Sequence, residues 1–149
     1  MANQVSKLLN HIVSVFDANP LVHTIIFKDD DVVDVEKENV YPLVSMRILN
    51  SIKSSDLVTI NIEFEILNQR DKLPIATPNK LMLDTNYIDN LNICDSIGNE
   101  FILEITKSHN DLDINTEEYS IFEYVRKDER NCLDGVKFDV TFSMHQNAI

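Results

Sequence analysis

The sequence predicts an α+β fold, with a single antiparallel β-sheet of four to five strands and two helices packed on one face. Three observations lead there. An apolar stripe at helical spacing opens the chain, a second, longer one occupies its middle, and two segments alternate apolar and polar residues with a period of two. Two helical stripes are then available to cover one side of one sheet.

Val5, Leu8, Leu9, Ile12, Val13 and Phe16 place one apolar face on a helix that stops at Asn19-Pro20. Val22 to Phe27 is β-branched and apolar enough for a strand, closed by the charges of Lys28-Asp29-Asp30-Asp31. Val32 to Val40 is expected to be an exposed loop or edge segment. Leu43 to Leu49 predicts a strand opened by Tyr41-Pro42, where the proline ring removes a backbone donor. A polar connection is expected over Asn50 to Asp56. In Val58 to Ile66 the residues Val58, Ile60, Ile62, Phe64 and Ile66 share one face, and Thr59, Asn61, Glu63 and Glu65 the other, which predicts one packed and one wet face.

Leu67 to Lys80 holds two prolines and several charges and is expected to be a connecting arm. Asp84 then caps a helix carrying Tyr87, Ile88, Leu91, Cys94, Ile97, Phe101, Ile102 and Ile105. Gly98 costs that helix about 1 kcal/mol relative to Ala, a cost that close packing against the sheet would explain. Ser108 to Glu118 is expected to be loop. Tyr119 to Arg126 and Val136 to Met144 complete the sheet as a strand pair, with Asn131 and Gly135 in the turn between them. Gly135 is expected to open the last strand with φ above zero, which glycine adopts without steric penalty.

At 149 residues the chain has the size of one domain, residues 1–149, and no second composition regime divides it. Lys+Arg 13 against Asp+Glu 25 gives a formal charge of -12, so a phosphate-gripping surface is not expected. No apolar run is long enough to span a membrane, and the first residues lack the pattern of a secretory leader. Cys94 and Cys132 are not in a C-x-x-C pair and suit reduced thiols, although spacing alone leaves a bridge between them open.

Site chemistry is sparse. His11, His23, His109 and His145 have no zinc-binding spacing. The acidic residues Asp29, Asp30, Asp31, Asp34, Glu36 and Glu38 lack the glycine and the terminal bidentate Glu of a calcium loop. Cys94 falls on the apolar stripe of its helix, and Cys132 has no histidine near it in sequence. With two glycines in the chain no glycine-rich phosphate cradle can form. No catalytic residue, metal or cofactor is expected, and the chain is not expected to be an enzyme.

The segment 126–140, with Arg130, Asn131, Gly135, Phe138, Asp139 and Val140, resembles the C-terminal signature of bacteriophage neck and tail-completion proteins of the tail-terminator kind. That pattern is an Arg-Asn or Arg-Asp turn, a glycine opening the last strand, and an apolar-x-apolar-Asp-apolar strand. Val136 departs from it, since an aromatic, often Trp, commonly follows the glycine. The order of the preceding elements is similar too, so the resemblance spans nearly the whole chain. It implies a structural virion protein, assembled in the host cytoplasm, forming a ring of six or twelve copies in the head-to-tail connector or tail. Other neck or tail proteins would be its partners, DNA would pass without specific binding, and no membrane would be involved. Under this reading Arg130, Asp134 and Asp139 are candidates for the subunit interface. Asp29, Asp30, Asp31, Asp34, Glu36, Glu38 and the arm Leu67 to Lys80 are candidates for lumen or neighbour contact, and for these a plain surface loop remains open. The alternative function is a small intracellular binding domain that captures a peptide on its sheet edge.

Overall fold

The structure, a computed structural model, describes residues 4–28, 40–71, 85–107, 114–128 and 132–145. Its elements in chain order are α1 (Gln4–Asp17), β1 (Thr24–Phe27), β2 (Leu43–Lys53), β3 (Leu57–Gln69), α2 (Tyr87–Ile105), β4 (Ile114–Tyr119), β5 (Glu123–Lys127) and β6 (Leu133–His145). The class is α+β. The sheet, however, has six strands and is mixed, in the order β1-β2-β3-β6-β4 with β5 also on β6. β1 runs parallel to β2, and every other pairing is antiparallel. A parallel neighbour requires a connection of about a dozen residues or more, and residues 28–42 supply that length.

β4 and β5 lie end to end on the same side of β6, with Ile114 opposite Met144 and Lys127 opposite Leu133. They form one edge strand interrupted at 120–122, where the Asp139 backbone N–H donates to Ser120 Oγ at 2.8 Å and Ser120 N–H donates to the Asp139 carbonyl at 2.9 Å. Phe122 turns inward there and stacks on Phe138, ring centroids 4.3 Å apart.

Both helices cover one face. Leu8, Ile12 and Phe16 of α1 and Cys94, Ile97, Phe101 and Ile105 of α2 meet Ile60, Ile62, Phe64, Phe138, Val140 and Phe142 of the sheet in one buried cluster. At its centre Phe16 stacks on Phe101 at 4.1 Å, and Phe64 contacts both rings. Each such pair contributes about 0.5–1.5 kcal/mol beyond its buried area. Gly98 lets α2 approach the sheet: a Cβ there would lie 2.6 Å from Phe122 Cε2 and 3.3 Å from Phe138 Cε1.

Three expectations are corrected. The polar stretch from Asn50 is not all connection, because β2 continues to Lys53 and the turn is confined to 54–56. The polar stretch before Tyr119 is not all loop, because β4 begins at Ile114; Ile114 and Thr116 face the helices, Thr116 Oγ1 donating to the Ile105 carbonyl at 3.1 Å, but only Ile114 is apolar, so the sequence carries no apolar alternation to read. The face of β3 away from the helices is not uniformly wet. Glu63 and Glu65 are only 6% and 3% exposed, and Leu43, Leu67 and Leu133 form a second small buried cluster with Ile26, Tyr41 and Val125.

Candidate functional site

Most of the acidic candidates, Asp29, Asp30, Asp31, Asp34, Glu36 and Glu38, lie outside the described residues, as do Arg130, Asn131, Asp84 and 72–80 of the arm. The other predicted residues can be placed. Gly135 is not in a turn and its φ is not positive; it sits within β6 opposite Leu67 and Val125. What requires glycine is close approach, since a Cβ would fall 1.7 Å from the Ile66 carbonyl oxygen. Asp134 is not a surface residue open to a neighbouring subunit but is completely buried. Asp139 lies on the helix-free face and borders a shallow polar groove with Asn61, Glu118, Tyr119, Ser120 and Thr141.

Asp134 anchors a polar junction that joins the ends of β3 and β6 to the start of α2. Arg70 Nη2 and Nε donate to its carboxylate at 2.6 and 3.1 Å, and Asn90 Nδ2 donates at 3.2 Å. Arg70 Nη1 also donates to Asp128 at 2.7 Å. The hydrogen bonds to Asp134 hold the Arg70 guanidinium protonated well above its ordinary range, and Arg70 in turn lowers the Asp128 carboxyl. Asn86 closes the junction: its Oδ1 accepts from Asp71 N–H at 2.7 Å and its N–H donates to the Asp71 carbonyl at 3.1 Å. The two ends of the arm are thus held side by side. Cys94 lies beneath, with Sγ 3.7 Å from the Asp134 carbonyl oxygen, and burial pushes its thiol up to about 12. That is a packed, unreactive thiol, and neither Cys94 nor Cys132 is in a disulfide.

The helix-free face carries an ion lattice. Glu65 takes Lys28 at 2.6 Å and Lys127 at 3.2 Å; Glu63 takes Arg47 at 3.3 Å and Lys137 at 3.5 Å. These cations come from β2, β5, β6 and the residue after β1, so the two glutamates of β3 tie the sheet together crosswise. Four positive charges on this face are engaged by carboxylates. Burial, then the nearby Glu63, raises the Asp139 carboxyl above its ordinary value.

Among the described residues no group of three or more His, Cys, Asp or Glu is arranged to hold a metal. Burial lowers His11, and His145 is exposed at the end of β6. The larger groove, about 370 Å³, lies between α1 and α2 over Phe16 and Phe101, with Glu100 and Glu104 on its rim. Asn19 Nδ2 donates to Glu100 at 3.0 Å and Lys107 pairs with Glu104 at 2.7 Å, so both carboxylates have partners. No helix among the described residues is long and apolar enough to cross a membrane.

What stands out chemically is at the two edges of the sheet. On the β4–β5 edge Tyr119, Ile121 and Tyr124 are 54%, 82% and 65% exposed, with Arg126 Cζ beside them 5.6 Å from the Tyr87 ring centroid. On the opposite edge Leu21, Phe27 and Val40 are exposed around β1, and Leu49 and Ile52 along the end of β2. Sequence reasoning missed both stripes. Their only signal was large apolar residues standing among polar ones, which is not distinguishable from shallow core until strand order is known. No protein-family model matches the sequence, and a search of curated proteins finds no match.

Proposed function

We propose that this chain is a non-enzymatic structural protein of a bacteriophage, a ring subunit of the head-to-tail connector or tail that joins neighbouring ring proteins around the DNA channel. The observation that carries the reading is the pair of apolar edges on opposite sides of one sheet. A head-to-tail contact needs two different surfaces on each copy, and when the rotation between copies closes, the product is a ring. Exposed apolar strand edges are otherwise an aggregation hazard, so a protein that keeps two of them is expected to cover them. The resemblance of segment 126–140 to tail-completion proteins supports the same assignment. So does the charge: a surplus of -12, with four cations of the helix-free face engaged by Glu63 and Glu65, disfavours a grip on passing phosphates.

Light scattering and electron microscopy of the purified protein, alone and with neighbouring neck proteins, test the reading. Closed rings of six or twelve copies are expected. Replacing Tyr119, Ile121 and Tyr124 together by Ser should reduce assembly and leave the thermal midpoint of the subunit unchanged, since all three are largely solvent-exposed. A chain that stays monomeric in every preparation overturns the ring. A saturable affinity of that monomer for extended peptides would instead favour the sheet-edge binding domain.

A further inference from the structure

We infer that neighbouring copies are joined by strand addition: the outer edge of β2 over Leu49–Lys53 in one copy receives the β4–β5 edge of a second copy, antiparallel. This rests on the ring reading and names its joint. β1 pairs with β2 from Leu43 to Met46, and Lys28 N–H donates to the Met46 carbonyl at 3.0 Å. Beyond it, no strand among the described residues lies outside β2. The edge is therefore stepped, with β1 forming the tread and Leu49–Lys53 the riser. Backbone donors and acceptors on such an edge form a template for one more strand. Ile52, 66% exposed, and Leu49, 37% exposed, stand along it.

Strand direction selects the partner edge. β2, β3, β6 and β4 alternate in direction through three antiparallel pairings, so β4 and β5 run opposite to β2. Copies that keep a common strand direction around a ring present these two edges antiparallel, the commoner pairing. Charge is complementary across the joint. The β4–β5 edge carries Glu117, Glu118 and Glu123 ahead of Arg126 and Lys127, and Leu49–Lys53 carries the single positive Lys53, which can meet the acidic part of that edge.

The step also sets the stagger. In its own copy Lys127 at the end of β5 is level with residue 41, just ahead of β2, so a straight β4–β5 edge clears β1, which reaches Met46, only if it is displaced by six residues, roughly 20 Å at the rise of a strand. Over the roughly 19 Å occupied by four strand spacings, that slope is about 45°, at the upper end of the strand tilt at which sheets close on themselves.

Two measurements on the full chain test the joint. With Ser51→Cys and Tyr124→Cys in one chain, a short bismaleimide should link copies into a ladder ending at the closed ring, and either single variant should not. Both positions are exposed and have register neighbours, Ile60 and Val136, on the helix side of the sheet. Lys53→Glu should weaken association roughly fivefold per joint, and Glu123→Lys in the same chain should restore it. Rings that form without the ladder and ignore Lys53→Glu overturn this joint and leave the ring reading standing. Failure of the parent chain to assemble in any preparation overturns the ring reading and the joint with it.

Discussion

Gly135 and Asp134 are adjacent, and each is held by a different force. Gly135 occupies a place where any Cβ enters the Ile66 carbonyl oxygen at 1.7 Å, so the pairing of β6 with β3 must open to admit a side chain. Gly135→Ala is expected to cost about 3 kcal/mol or more, beyond the usual range of overpacking because the obstacle is backbone; urea denaturation measures it. Asp134 is buried against Arg70, and Asp134→Ala leaves that guanidinium without its main partner. A loss of about 3–5 kcal/mol is expected, smaller when Arg70→Met is combined with it. Asp139 behaves in the opposite sense. Its folded carboxyl titrates above the ordinary 3.8, so its stabilising contribution is complete below that pH and is lost as pH rises through the folded value. Asp139→Asn should therefore be more stable than the parent at pH 7, with the difference vanishing below about pH 3.8, as denaturation at the two pH values will show.

At the scale of elements, the edge strand broken at 120–122 and the glycine in α2 are one device. The interruption swings Phe122 into the core, and Gly98 makes room for it under the helix. Gly98→Ala gains about 1 kcal/mol of helix propensity but drives a methyl group into the Phe122 ring, an overpacking cost of about 1–3 kcal/mol. The net effect should be destabilising in the parent and stabilising in a Phe122→Leu background, a sign reversal that a double-mutant cycle by thermal denaturation detects. The helical and alternating patterns made α1, α2, the middle of β3 and most of β6 legible from residues alone. β4 and the end of β2 were not, because edge strands with polar outer faces carry neither period.

For the whole molecule, in the proposed ring, the excess of acidic groups makes copies repel one another while their edges attract. With a formal charge of -12 per subunit, this repulsion outweighs the few ionic contacts a joint can hold, so screening should favour assembly. Sedimentation between about 0.05 and 0.5 M salt, where the Debye length shrinks from well above to well below 10 Å, is expected to show the ring fraction rising. A fall with salt would mean that the joint is held mainly by charge.

The sequence by itself determined the α+β class, the two covering helices, and the residues that form the main core, because burial on one face leaves a periodic record along each element. Only the tertiary structure decided that the sheet is mixed and six-stranded, that Glu63 and Glu65 are sheltered by cations from other strands, and that Gly135 is needed for contact rather than for a turn. It also decided that the apolar residues at 49, 52, 119, 121 and 124 stand at opposite edges. Those properties depend on which segments become neighbours across long separations, and a one-dimensional pattern records how much of a residue is buried but not what lies against it.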